Sequence, residues 1–367
     1  MRILYLTGQI ALHGGIERVT VMKLNYWAET GNDVYLSTYE QGDKPFVYPI
    51  SPKVHCEDLN INYNVNYTCE SLYSFRCLKL VPRHFFRTLS LIRKIKPDVI
   101  VVPNFGYEFW FLPFIKGRSM LIREYHDSQY QRKFGGVKVW IDDFIQRFYN
   151  SVVVLTPQEV RYFRYKKNVT VIPNPIKVSS CISDLSYSKI VTVGRIDKVK
   201  RFELFIEIAE LVVKKYPEYI FEIYGEGNPI YKDELVELIK SKQLQNNIFF
   251  MGITSEVQRT LSEASIYVCT SKTESFGLTL IEAMDVGLPV VSFDCPHGPK
   301  NIISDGVDGY LIQNDSIIEA SDAVINLIED KKLLVLMGNS ARLNARRYHL
   351  DNIMKMWINL FNKYWGL

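Results

Sequence analysis

Short apolar runs alternate along the chain with segments that are apolar at every third or fourth position. The runs read as buried strands and the spaced segments as helices packed on them. Arg2–Thr7 predicts a strand, Gly8–Gly15 a turn, Ile16–Thr30 a helix stopped by Gly31, and Val34–Thr38 a second strand. That β-α-β opening is the unit of a parallel α/β sheet. Gln41–Asn66 is polar, aromatic and Pro-containing and predicts loop. Tyr73–Lys96 predicts a basic helix, Asp98–Val102 and Ser119–Glu124 two strands, Val137–Asn150 a helix, and Ser151–Leu155 a strand.

The apolar run after Asn168 closes on Pro173-Asn174-Pro175, which suits a hinge between domains. A polar, serine-rich stretch, Lys177–Ser188, follows, and then the pattern restarts. Lys189–Val193, Ile220–Tyr224, Asn247–Met251, Ala264–Thr270 and Pro289–Phe293 predict strands. Arg201–Lys214, Tyr231–Lys242, Ser316–Ile328, Lys332–Tyr348 and Asp351–Trp365 predict helices. Two α/β domains follow from this pattern, with a ligand expected between them at the C-terminal ends of the strands.

The 367 residues are too many for one ordinary core, which agrees with two domains. No apolar run reaches the ~18 residues of a membrane-spanning helix. The N-terminus enters a strand pattern at once, without a signal-peptide layout. Six cysteines without metal-ligand spacing read as reduced thiols of a cytoplasmic protein, and no metal site is expected. Charge is uneven. The first 173 residues carry 23 Lys+Arg against 15 Asp+Glu, and the remainder 21 against 25. A basic front half suggests an anionic partner. Between Glu70 and Asp98 there are only basic charges, interleaved with Phe75, Phe85 and Phe86. That stretch reads either as a solvated helix or as a helix lying on an anionic membrane, through residues 76–96. No nucleic-acid module surrounds it, so nucleic acid is not expected.

The densest chemistry lies in Thr273–Met284. A buried strand runs into a turn, and Leu278, Ile281 and Met284 then repeat at helical spacing up to Gly287-Leu288-Pro289. Glu274 falls in the turn and Glu282 on the helix, about two turns in. The amides of Phe276, Gly277 and Leu278 face outward at the positive end of the helix dipole, where a phosphate would bind. Two surface glutamates would give the same E-x7-E spacing, so the pattern alone does not decide. Gly14-Gly15 reads as a simple turn or as a close approach of backbone to a phosphate or sugar. It is not GxGxxG, so a dinucleotide fold is not supported. His126, just past a strand end, is structural or faces a ligand.

Gly-Gly-Ile-Glu-Arg (14–18), Val-Ile-Pro-Asn-Pro (171–175), Val-Gly-Arg-Ile (193–196) with Lys200, Tyr-Gly-Glu-Gly (224–227) and Glu274–Met284 occur in this order. Together they resemble the retaining GT-B glycosyltransferases, family 4 in particular. The resemblance implies two Rossmann-like α/β domains facing across a cleft. The last helix would cross back, giving residues 1–173 plus 351–367 as an acceptor-side domain and 174–350 as a donor-binding domain. It implies transfer of a hexose or N-acetylhexosamine from a nucleotide sugar, UDP-linked, to a glycan or lipid-linked acceptor in bacterial surface polysaccharide synthesis, with no cofactor. Arg195 and Lys200 would hold the diphosphate, assisted by the amides of Phe276, Gly277 and Leu278. Glu282 would accept from ribose hydroxyls, Glu274 would lie beside the transferred sugar, His126 would contact that sugar, and Gly14-Gly15 would close over its phosphate. The family's same-face mechanism lets the leaving phosphate deprotonate the acceptor. Cys295–Lys300 resembles a variant in members acting on bacterial surface-glycan precursors, which suggests UDP-galactose, UDP-glucose or an N-acetylated analogue as donor, and gives His297 no role. The resemblance also suits a protein peripheral to the inner face of the membrane. Two other readings stand beside it: a nucleotide-sugar epimerase of the same fold, and a non-catalytic glycan or lipid-phosphate binding protein.

Overall fold

The structure, a computed structural model, describes residues 1–63, 75–103, 106–134 and 136–366. The chain divides into two compact units, Met1–Pro175 with Asp351–Leu367, and Ile176–Leu350.

In the first unit the order is β1 (Arg2–Thr7), α1 (Gly15–Glu29), β2 (Asp33–Thr38), β3 (Val54–Asp58), α2 (Phe75–Ile95), β4 (Val99–Pro103), α3 (Glu108–Ile115), β5 (Met120–Glu124), α4 (Gly136–Gln146), β6 (Ser151–Val154) and β7 (Val169–Val171). The strands form one parallel sheet in the order β3-β2-β1-β4-β5-β6-β7. β4, β5 and β6 are buried at every position. Helices cover both faces of the central strands, which is why they read as unbroken apolar runs. The Gln41–Asn66 stretch is not all loop. It contains the edge strand β3, buried only at Val54 among its first four residues, so it has no apolar run to betray it. The rest of that stretch is described only as far as Tyr63. Helix α3 was also hidden, because Pro113 interrupts a short segment that is apolar all round.

In the second unit the order is β8 (Lys189–Val193), α5 (Phe202–Lys215), β9 (Ile220–Tyr224), α6 (Pro229–Ser241), β10 (Ile248–Gly252), α7 (Val257–Ser262), β11 (Ile266–Cys269), α8 (Leu278–Asp285), β12 (Val290–Phe293), α9 (Pro299–Ile302), β13 (Gly309–Ile312), α10 (Ile317–Glu329) and α11 (Lys331–Ala345). Its parallel sheet runs β10-β9-β8-β11-β12-β13. Strand order reverses between β1 and β4 in one sheet and between β8 and β11 in the other. The crevice beyond such a reversal is where open α/β sheets bind ligands.

The last helix, α12 (Leu350–Trp365), returns to the first unit. Its Trp357 and Phe361 pack on Trp27 of α1, with ring centroids 5.8 and 5.7 Å apart. All three rings are buried, and such aromatic pairs add about 0.5–1.5 kcal/mol beyond their buried area. Among the described residues no helix is long and apolar enough to cross a membrane.

One buried acid in the first unit has a measurable consequence. Glu108 opens α3 at 1% exposure and accepts from the Tyr39 hydroxyl at 3.2 Å. The Gly106 backbone presses on the carboxyl; a Cβ there would lie 2.1 Å from Oε2. Burial pushes the Glu108 carboxyl up to about 8. The folded state therefore holds a proton that the unfolded chain releases near pH 4.3. Stability falls as pH rises between those values and levels off outside them, at a cost of about 3 kcal/mol between pH 5 and 8. Stability from urea unfolding should fall less steeply with pH in Glu108→Gln than in wild type, the remaining slope coming from other buried acids such as Glu159, which burial pushes up to about 7.

Candidate active site

Strand β11 carries the chain to the reversal point of the second sheet, and the glutamate turn begins there. Glu274 is nearly buried, with a side-chain exposure of 12%. Its Oε1 accepts from Lys200 Nζ at 2.5 Å and from Ser271 Oγ at 2.6 Å. Lys200 arrives from the other side of the reversal, in the turn after β8. Burial pulls its ammonium down, but the Glu274 carboxylate more than offsets that, and the net shift is upward. Lys200 is thus held as a cation in a poorly solvated place.

The turns that deliver these groups depend on glycine. Gly225 has φ +137°, and a Cβ on it would lie 2.0 Å from the Gly194 carbonyl oxygen. The turns after β8 and β9 can therefore lie backbone to backbone only with glycine at 225. Gly277 caps α8 at φ +95° with no side-chain cap. The amides of the first helical turn have no intrahelical acceptor, and α8 has no acid in that turn. Phe276 is buried against Tyr348, with ring centroids 5.5 Å apart, and fixes the turn from below.

The structure places two of the sequence candidates differently from expectation and gives a place to a residue left without a role. Glu282 lies one turn into α8, not two, because the helix starts at Leu278, about 6 Å earlier along the axis. It is 5% exposed. Arg195 follows β8 but extends into solvent, 3.5 Å from Asp197, and so is not packed into the Lys200–Glu274 pair. His297, left without a role, forms an isolated parallel bridge with Glu274 at φ +80° and is buried. It braces the turn from the loop after β12. The sequence reading also missed Arg201, whose guanidinium donates to the Thr270 and Ser271 carbonyls (2.9 and 3.1 Å) and to Asp315. It holds the start of the glutamate turn. No spacing rule marks it.

In the first unit, Gly14 caps α1 and Gly15 opens it. A Cβ on Gly14 would lie 2.1 Å from the Glu17 carboxyl, which folds back over the turn. His126 lies two residues past β5 and is 6% exposed. Its Nε2 is 3.4 Å from Glu124 Oε2, and its Nδ1 has no hydrogen-bond partner among the described residues. Burial raises the Glu17 carboxyl, and His126 is close enough to pull it partway back. The first turn of α1 and the end of β5 thus lie near each other.

Behind His126 lies a network that sequence reading did not single out. Glu124 accepts from Lys23 Nζ through Oε1 and from the Tyr5 hydroxyl at 2.7 Å through Oε2. Lys23 and Glu124 are 1% and 2% exposed. Burial alone would raise the Glu124 carboxyl; Lys23 and His126 overcome it and hold it near 2. Burial lowers Lys23, and Glu124 restores part of the loss. The Lys23 ammonium also sits 4.9 Å from the Trp357 ring centre on α12. Lys23, Glu124 and Trp357, with Pro173 and Asn174, line a small pocket beside His126. A signal was present: Lys23 is spaced by four from Val19 and from Trp27, at a core position of α1.

Two doubly wound parallel units, with the last helix returning to the first, define the class of protein: a GT-B architecture. Residues 13–180 match the model of Glycosyltransferase Family 4, and residues 183–344 match that of Glycosyl transferases group 1. The chain belongs to the family 4/group 1 glycosyltransferases of GT-B fold. It is 37% identical over 219 residues to a poly(ribitol-phosphate) alpha-N-acetylglucosaminyltransferase of Staphylococcus aureus. That match covers 58% of this chain and 44% of the relative, so the chain spans less than half the length of that protein. A Haemophilus influenzae glycosyltransferase without an assigned activity is 26% identical over 353 residues, covering 94% of this chain and 95% of its own. Among solved structures, S. aureus TarM in complex with fondaparinux, alpha-GlcNAc-glycerol and UDP superposes with a TM-score of 0.78 at 19% identity, over 98% of this chain and 99% of that one. This last likeness concerns the fold.

Proposed function

We propose that the protein is a retaining glycosyltransferase that moves a hexose or N-acetylhexosamine from a UDP-sugar to a glycan or lipid-linked acceptor of a bacterial surface polymer. The observation that carries the reading is the Lys200–Glu274 pair at the reversal point of the second sheet, beside the uncapped start of α8. A fixed cation and free amides suit a diphosphate whose charge grows as it leaves. The carboxylate beside them suits the developing positive charge on the sugar. The relatives' activities, among them transfer of N-acetylglucosamine to poly(ribitol-phosphate), support a surface polymer as acceptor.

In this reading Lys200, with Arg195 brought in from solvent, neutralises the diphosphate, with the amides of Phe276, Gly277 and Leu278 at its other side. Glu282 accepts from the ribose hydroxyls. The bond from the anomeric carbon to the phosphate oxygen breaks, its electron pair leaving with UDP. The acceptor oxygen bonds to the same face, and its proton passes to the departing phosphate. His126 orients the transferred sugar, and Glu124 holds the ring. The charge comes from protein groups, so the proposed transfer uses no metal. Lipid-linked acceptor would be met at the inner face of the membrane.

A panel of UDP- and GDP-sugars, followed by nucleotide release with and without acceptor, tests this. UDP release from a hexose or N-acetylhexosamine donor, stimulated by acceptor and giving a product of unchanged anomeric configuration, is expected. Conversion of the donor sugar without acceptor would instead establish an epimerase. Donor binding without turnover of any acceptor would support a binding protein.

A further inference from the structure

Helix α4 turns its acids inward and its aromatic rings outward. Its carboxylates point inward: Asp142 pairs with Arg123 and Arg132 at 2.8 and 2.5 Å, and Asp143 with Arg132 at 2.5 Å. Three of its apolar residues point outward, while Val139, Ile141 and Ile145 are half-buried. Val137, Trp140 and Phe144 are 74, 56 and 41% exposed, and Phe148 beyond the helix end is 45% exposed. They recur every three or four residues, so they share one stripe. Trp140 stacks on Phe144 (6.1 Å), and Phe144 meets Phe148 edge-on (5.7 Å). A soluble helix normally arranges these two residue classes the other way round.

The stripe is not isolated. Helices α2, α3 and α4 share one hydrophobic core on one face of the first sheet, where Ile145 packs against the cluster that holds Ile92 and Phe111. Phe109 of α3 stacks on Tyr149 just past α4, and Phe85 of α2 meets Phe111 of α3. The outer side of this layer also carries exposed Phe86 on α2 and exposed Phe114 on α3. Basic charge predominates there, although Lys94 of α2 pairs with the exposed Glu57 of β3. The only acid on α2 or α3 is the buried Glu108. Lys79, Arg83 and Arg93 on α2 are exposed. Arg147 lies over the rings of Phe144 and Tyr165 (4.3 and 5.0 Å) and joins the stripe to the exposed bases Arg161, Arg164 and Lys166.

We propose that this helical layer docks on an anionic lipid bilayer, with the α4 stripe as its apolar anchor. Trp and Phe favour the interfacial zone, and the surrounding cations meet lipid phosphates. A second copy of the chain fits less well, because isologous pairing of this face would oppose cations to cations. The proposal deepens the reading of a membrane-carried acceptor, and moves the apolar contact from residues 76–96 to α4.

The test uses the full chain and vesicles without donor or acceptor, so its outcome is separate from that of the transfer reaction. Sedimentation with phosphatidylglycerol/phosphatidylcholine vesicles should carry the wild type down, and phosphatidylcholine vesicles alone should carry little. W140E/F144E should lower the partition coefficient about tenfold or more, while W140L/F144L keeps most of it. R147Q/R161Q/R164Q should weaken binding and flatten its salt dependence. Circular dichroism checks that the variants are folded. Absence of wild-type binding, or binding of W140E/F144E equal to wild type, overturns the proposal. So does a wild-type dimer that W140E/F144E converts to monomer without change on vesicles, which would make the face an interface between copies.

Discussion

Glu274→Ala is expected to lower the rate of sugar transfer about 10²–10⁴-fold while leaving the dissociation constant for UDP within a few-fold of wild type. The carboxylate is held at one place by Lys200 and Ser271, so it does not reorganise when positive charge develops on the sugar. Its removal leaves Lys200 without its carboxylate partner. An arriving diphosphate can then take the ammonium, which is why binding should not fall with turnover. Glu282→Ala should do the reverse. A carboxylate that accepts hydroxyl hydrogen bonds contributes about 1.5–3 kcal/mol each, so UDP binding should weaken at least about tenfold. Turnover at saturating donor should stay near wild type. Calorimetric UDP titration beside steady-state kcat separates the two. Equal, mild effects from both substitutions would remove the assignment of the glutamate turn as the reacting site.

The two substitutions differ in how much of their logic could be read in advance. The strand before Glu274 and the helix after it are visible because both are buried, and burial writes its period into the sequence. Gly277 is visible because a positive φ at a helix start leaves little choice of residue. The partner of Glu274 is not visible. Lys200 is 74 residues away, and only the reversal in strand order brings the turn after β8 beside the turn after β11. The same reason hides Arg201, whose acceptors are two backbone carbonyls that any residue would present. Strand β3 is hidden for the opposite reason. It is an exposed edge, held by backbone pairing to β2, and pairing of that kind leaves no side-chain pattern. Helix α4 shows the sharpest limit. Its periodicity predicts the helix but not which face turns inward, and the structure turns the acids in and the aromatics out. Arg123 and Arg132 decide that, and neither lies on the helix.

Glu124→Ala should cost about 3–5 kcal/mol of stability, the largest loss expected of a single side chain in the first unit, because it strands the buried Lys23 ammonium. Lys23 is enclosed by Tyr5, Trp27 and Trp357, and none of these replaces a carboxylate. The double substitution Lys23→Met/Glu124→Leu should recover most of the loss, since a buried pair exchanged for apolar groups of similar volume is often neutral. Activity should not recover with it. Glu124 Oε2 is the group that faces His126 Nε2, and without it neither the ring's orientation nor its tautomer is fixed. Guanidinium unfolding of the two single variants and the double variant measures the coupling. Transfer rate across pH 5–8 supplies the second readout. A double variant as stable as wild type, yet slower by about tenfold or more and altered in its pH profile, would show that Glu124 positions His126. A double variant that regains both stability and rate would show that the pair serves only the packing between α1, β5 and α12.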